Sequence, residues 1–194
     1  TMTIRTLPFI LASASPRRLQ LLQQLGIAPT RQVVSGVDET INKNELPKDF
    51  CLRMAKAKAT AVAQQHGGAV ILAADTVVAM GRRVIAPPPD AATAKTVLGQ
   101  LAGRRHRIIT AMVLVDGNGR MTHRISTTRV KLKELNQDEI SRYIATNAWQ
   151  GRAGGLALDG PAAAFLSWLN GSPSGTIGLD LKLCYQLLKG VGLL

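Results

Sequence analysis

The stretch Ile10-Leu11-Ala12-Ser13-Ala14-Ser15-Pro16-Arg17-Arg18 decides how this chain is read. A short apolar run ends in two serines, a proline and two arginines, and an amphipathic segment follows. The pattern predicts a buried strand over Phe9–Ala12 and a helix over Arg17–Leu25, closed at Gly26. Ser15 stands where a side-chain oxygen can cap a helix start, and Pro16 where a missing N–H costs nothing. Backbone N–H groups, the positive end of the helix dipole, two hydroxyls and two guanidiniums then converge, which suits a phosphate. A capped surface helix that happens to begin with arginines fits the same residues, and on spacing alone the two readings stand level.

Outward from this motif, helical and extended patterns alternate. Gln32–Ser35 reads as a second strand. Pro47–Gln65 reads as a helix stopped by Gly67-Gly68, with Cys51, Met54, Ala55, Lys58 and Val62 on its inner stripe. Ala69–Ala74 is an apolar strand that continues past Asp75 into Val77-Val78. Asp90 caps a helix reaching about Leu101. Strands over Arg107–Val115 and Arg120–Leu132 meet at the turn Asp116-Gly117-Asn118-Gly119. Asn136 and Glu139 begin a helix through Tyr143 with a capping box. Leu156–Leu158 and Phe165–Leu169 read as strands, and Leu179–Leu188 as the last helix, closed by Gly190. The order is that of an α/β chain with a mixed sheet, interrupted by a hairpin. No repeat or linker divides residues 1–194, so one domain is expected, and Pro87-Pro88-Pro89 marks a loop.

The composition narrows the class. Hydrophobic residues make up 46% of the chain and aromatics 4%, so the core rests on Leu, Ile, Val and Ala. No apolar run is long enough to span a membrane. Arg5 and Pro8 break the pattern a signal peptide would need. Cys51 and Cys184 lie far apart without metal-ligand spacing, and read as reduced structural thiols of a cytoplasmic protein. The net charge of +12 favours a polyanionic partner such as a nucleotide. Positive charge gathers locally at Arg82-Arg83 and Arg104-Arg105-His106-Arg107. Aromatics are too few to interleave with it, which argues against a single-strand stacking platform, so nucleic acid is not the expected partner.

A few residues could carry chemistry. Asp75 stands in an otherwise apolar strand, where a carboxylate must be paired, hydrogen-bonded or metal-bound; the bland alternative is a strand end at which it caps a turn. Lys58 falls on an apolar helix stripe, either snorkelling to water or pointing into a cleft. Glu39 is a loop acid that says little alone. His106 reads as structural, able to bond the turn before its strand. His66 and His123 have no partners at zinc-ligand spacing. There is no nucleophile elbow, P-loop or dinucleotide fingerprint. Taken together, Ser13, Arg17 and Arg18 offer phosphate donors, Lys58 a further positive charge, and Glu39 and Asp75 oxygen ligands for a hard divalent cation. That inventory suits attack of water on a phosphoanhydride.

At this point the chain resembles the Maf family of nucleotide pyrophosphatases. Leu11-Ala12-Ser13-Ala14-Ser15-Pro16-Arg17-Arg18 is similar to the family's opening signature. Val37-Asp38-Glu39, Arg53-Met54-Ala55-x-x-Lys58-Ala59 and Ala74-Asp75-Thr76-Val77-Val78 follow in its order and spacing. Gly103-x-x-His106, Thr110, Tyr143, Arg152-Ala153-Gly154 and Asn170-Gly171…Ile177-Gly178-Leu179 match as well. The resemblance implies a two-lobed Maf/inosine-triphosphatase-like α/β fold with a mixed twisted sheet and a central cleft. It implies hydrolysis of nucleoside triphosphates to the monophosphate and pyrophosphate with magnesium or manganese, and a homodimer. Asp75 would accept the proton, Glu39 would support metal and water, and Ser13, Arg18 and Lys58 would hold phosphates. Arg17 and Thr76 occupy the positions tied to substrate choice, with the identities of the subgroup acting on dTTP and UTP.

The chain also departs from that pattern. Pro87 stands where the family has a loop lysine, a loss that costs roughly 10²–10³ in rate if nothing replaces it; Arg82 or Arg83 is the expected replacement. Arg152 keeps a charge normally carried by lysine, with different geometry. Leu156 replaces a tyrosine, and Asp159 stands at the place of a base-reading glutamine, without an amide donor. Besides the active enzyme, these departures leave open a nucleotide-binding regulatory protein with weakened catalysis. The charge alone leaves open a basic nucleic-acid binder.

Overall fold

The computed structural model describes residues 7–194; Arg5, part of the signal-peptide reading, lies outside the described residues. The chain runs β1 (Phe9–Leu11), α1 (Pro16–Gln24), β2 (Arg31–Gln32), α2 (Pro47–Gln65), β3 (Val70–Met80), β4 (Arg83–Ile85), α3 (Ala91–Leu101), β5 (Arg105–Val115), β6 (Met121–Leu132), α4 (Gln137–Ala145), β7 (Leu166–Asn170) and α5 (Leu181–Gly190). Short 3₁₀ turns lie at Ala153–Gly155, Pro161–Phe165 and Ser174–Thr176.

The strands form one mixed sheet in the order β2-β1-β3-β5-β6-β7, with β4 folded back on β3. β1 runs parallel to β2 and β3, and every other pairing is antiparallel. Alternation along the strands sends successive side chains to opposite faces. One face packs Ile71, Ala73, Ile109, Ala111 and Val113 against the Cys51, Met54, Ala55, Ala59 and Val62 stripe of α2. The other face carries two apolar groups. One, around Leu72, Met112 and Leu114, is covered by α1 and α5. The second, around Val78, Ile108 and Val130, is covered by α3, α4 and the turns after α4. Between them runs a row of hydroxyls, Thr76–Thr110–Ser126, aligned by the register of three neighbouring strands.

The helix bounds follow the caps. Asp90 accepts from Thr93 N at 2.7 Å, Asn136 and Glu139 form the reciprocal capping box, and Asp180 caps α5. Three local expectations fail. Leu156–Leu158 is no strand: positive φ at Gly154 and Gly155 turns the chain, and Ala157 N donates to Tyr143 Oη instead of to a neighbouring strand. The strand expected over Gln32–Ser35 shrinks to two residues, because β1 ends at Leu11 and its last rung takes Val33 N. His106 bonds no turn: it is 3% exposed, with no partner for either ring nitrogen. Burial drives its pKa down to about 4, so it is neutral at pH 7.

Candidate active site

β1 pairs with β3 only as far as Leu72, where Ala12 N adds a last bond to Leu72 O, and β4 joins the same edge of β3 only from Val78. Neither strand pairs with Ala73–Val77, so one edge of β3 lies open there. Asp75 and Thr76 sit in this gap. Asp75 faces the α2 side of the sheet and Thr76 the other, yet both line one cleft of about 460 Å³. The cleft lies beyond the carboxyl end of β1, where ligands gather in open α/β sheets.

The opening motif forms the opposite wall. Ser15 does not cap α1, contrary to expectation. Ser13 turns back instead, its Oγ accepting from Ser15 N and from Arg18 Nη1, each at 3.1 Å. The first-turn amides of Arg17 and Arg18 are thus left without a side-chain cap, available to an anion. Arg18 is braced on three sides: besides Ser13, Nε donates to Gly178 O at 3.0 Å and Nη2 to Thr76 Oγ1 at 3.1 Å. A guanidinium has five N–H groups, so both terminal nitrogens keep one free. Burial lowers the Arg18 pKa, and Asp75 works against that shift. Gly178, between the Ser174–Thr176 turn and α5, lets the backbone approach this closely, since a Cβ there would stand 3.1 Å from Arg18 Cγ at a φ of +144°.

On the other wall, Lys58 Nζ lies 2.7 Å from Asp75 Oδ1 and 2.7 Å from Glu39 Oε1. The lysine therefore points inward from α2 rather than snorkelling. Asp75 is buried in mid-strand, so the turn-capping alternative falls. Burial raises the Asp75 pKa above the usual carboxylate range, opposed by Lys58 and Arg18. For Lys58, burial works downward, but Asp75 and Glu39 outweigh it and raise the pKa. The ammonium is secure, and the carboxylate is the partner nearer to taking up a proton. Glu39 is 60% exposed at the cleft mouth. Cys51 Sγ donates to the Asp75 and Ile109 carbonyls from beneath, and its thiol is pushed up to about 12 by burial; like Cys184 it is free.

The far end belongs to the 150–156 loop. Arg17 Nη2 donates to Gly151 O at 3.1 Å, and burial, then the nearby Arg152, lowers its pKa. Arg152 lines the cleft, paired to Asp159, which does not itself line it. Pro87 and Leu156 supply apolar wall at this end. Neither Arg82 nor Arg83 replaces the loop lysine: they flank a separate depression beside Glu45, and Arg83 donates to Gln100. Sequence reasoning missed Gln150 and Thr176, which line the cleft, and the groups that brace its side chains from behind: the Thr110 hydroxyl and the carbonyls of Gly151, Gly175 and Gly178. Backbone acceptors leave no mark in side-chain chemistry, although positive φ at Gly151 and Gly178 is the kind of trace such turns leave.

A family description named "Maf-like protein" matches residues 8–191. A dTTP/UTP pyrophosphatase of Rhodospirillum rubrum is 49% identical over 95% of this chain and 88% of its own length. One from Novosphingobium aromaticivorans is 44% identical over 95% and 92%. Among solved structures, a HAM1 protein from Coxiella burnetii covers 95% of this chain and 100% of its own, with a TM-score of 0.52 at 15% identity, a likeness of fold.

Proposed function

The chain belongs to the family of Maf-like proteins, and from that premise we propose that it is a nucleoside triphosphate pyrophosphatase, splitting dTTP or UTP into the monophosphate and pyrophosphate. One observation carries the reading: a buried carboxylate, Asp75, opens onto a cleft whose facing wall is Ser13, Arg18 and the start of α1. A proton acceptor and a phosphate cradle then face one another.

In this reading the triphosphate lies against Ser13, Arg18 and the amides of α1, whose donors stabilise charge on its oxygens. Asp75 takes the proton of the attacking water, and Lys58 keeps that carboxylate ionised and in place. Arg17, Thr76 and Arg152 bound the nucleoside end, and Asp159 holds Arg152. Among the described residues no three His, Cys, Asp or Glu side chains gather as a closed metal site. The donor set nonetheless fits magnesium or manganese, which use one or two carboxylates plus substrate phosphates and water. Glu39 and Asp75 would hold the ion, which would polarise phosphate oxygens when bound. Two free buried thiols favour the cytoplasm as the compartment.

The test is pyrophosphate release from a panel of nucleoside triphosphates with each metal. Turnover of dTTP and UTP is expected, falling about 10²–10⁴-fold in Asp75→Asn. No release from any nucleotide, or an Asp75→Asn variant matching wild type, would reject it. Pro87 in the cleft wall favours a second reading, a nucleotide binder with weakened catalysis. Calorimetry showing tight binding without turnover would select that one.

A further inference from the structure

The register of the last three strands sets Arg105, Lys131 and Trp168 in one row and Arg107, Arg129 and Asn170 in the next. Directly paired residues share a face, and positions two apart on a strand share it too. Four cations and one indole therefore stand on the α2 side of the sheet, the Arg107 guanidinium reaching across to donate to the Gly81 carbonyl. α2 covers that side over β3 and β5, and leaves Thr127, Arg129, Lys131 and Trp168 exposed on β6 and β7.

Arg105 opposite Lys131, and Arg107 opposite Arg129, are like charges in direct cross-strand pairs, which destabilise a sheet. None of the five ion pairs among the described residues involves any of the four. The Arg105 guanidinium lies 4.9 Å from the centroid of the Trp168 ring, and Trp168 stays 38% exposed. A merely solvated face has no use for stacked repulsion beside an exposed indole. A polyanion removes the repulsion, and a base can stack on the part of the indole that Arg105 leaves exposed.

We propose that this face binds single-stranded nucleic acid, apart from the cleft. Rows two residues apart stand about 7 Å from one another along the strands, a span a flexible phosphate backbone can follow. The sequence counted against such a platform because aromatics are few, but the fold places one of them beside four cations. A second copy of the chain would bring cations against cations. A duplex keeps its bases paired and stacked inside, with none free to stack on Trp168. Polyphosphate or an acidic polypeptide would leave Trp168 unused.

The experiment is fluorescence polarisation of the full chain with a labelled mixed-sequence oligodeoxynucleotide of about twelve bases, a length within the usual single-strand site range. Unlabelled single strand, duplex, inorganic polyphosphate and polyglutamate are the competitors. Binding is expected with a slope of log affinity on log salt near about −3, from four phosphates on a single strand. The pair Arg129→Glu and Lys131→Glu should weaken it at least about tenfold, and Trp168→Ala about tenfold as one stacked base is lost. Nucleotide hydrolysis and elution volume should stay at wild type. Absence of binding at low salt, binding indifferent to these substitutions, displacement by duplex, polyphosphate or polyglutamate as effective as by single strand, or a changed oligomeric state as the only effect would each overturn the proposal.

Discussion

Thr76 donates its hydroxyl proton to Thr110 across 2.9 Å, a direction fixed at the Thr110 end. Thr110 spends its own proton on Gly175 O at 2.7 Å, and Thr76 Oγ1 already accepts from Arg18. A hydroxyl has one proton to give. The bonds therefore run one way, from Arg18 through Thr76 and Thr110 to Gly175. The buried guanidinium is thus aimed by a chain that ends in the 174–176 turn, and Thr76 has no proton left for a base unless that chain breaks.

Thr110→Val breaks it. The Gly175 carbonyl loses its buried donor, which costs about 1–3 kcal/mol in denaturant unfolding. Thr76 loses its acceptor and Arg18 its fixed seat, so KM for the triphosphate rises more than kcat falls. Thr110→Ser, which keeps the hydroxyl, should restore most of both. A valine variant with wild-type unfolding midpoint and KM would show that the chain does not position Arg18.

Lys58 governs the charge of Asp75. Burial pushes that carboxyl upward and Lys58 pulls it back. In Lys58→Met the pull is gone, so Asp75 ionises at higher pH. The acidic limb of the kcat/KM–pH profile should move to higher pH, with the alkaline side little changed. An immobile limb would mean that Asp75 is not the proton acceptor.

Local chemistry made much of this structure legible. α2 was readable to its ends because Pro47 opens it, Gly67-Gly68 follows it and the Cys51–Val62 stripe has helical spacing. The capping box of Asn136 and Glu139 and the Asp116–Gly119 turn are short-range signals of the same kind. The loop after α4 was not, since Leu156–Leu158 looks like a strand and only a distant hydroxyl, Tyr143 Oη, takes the backbone group a strand would need. In the site, Lys58 and Asp75 declared themselves by being polar where apolar residues belong, and Ser13 and Arg18 by standing at a helix start suited to an anion. Asp159 did not: its partner Arg152 is a tertiary matter, and only the fold shows the pair closed on itself beside the cleft.

Glu45 gives the fold an acid-sensitive tie. Its carboxylate accepts from Arg53 at 2.6 and 2.7 Å, and those bonds hold its pKa at about 2 against an ordinary 4.5. A depressed pKa means stability that is fully present above pH 4.5 and lost as pH falls toward 2. Glu45→Gln removes the titration. The stability gap between wild type and variant, followed by urea unfolding, should be full at pH 6 and close as pH approaches 2. A gap constant across that window would assign the loss to packing instead of charge.

His106 works in the opposite sense, as a buried base without a partner. Its pKa is about 4 in the fold against 6.5 for an ordinary histidine. The unfolded chain therefore binds the proton first, so acid favours unfolding from pH 6.5 downward, and the penalty grows until pH 4. At pH 5 the shift amounts to about 2 kcal/mol. His106→Leu removes two orphaned ring nitrogens from a region packed with Ile108, Val130 and Leu132, and such a swap is near neutral or stabilising at pH 7. The variant should then outlast wild type in thermal unfolding at pH 5 by more than at pH 7. If the two lose stability in parallel as the pH drops, His106 takes up its proton in the folded state as readily as in the unfolded chain, and its ring is not held neutral by burial.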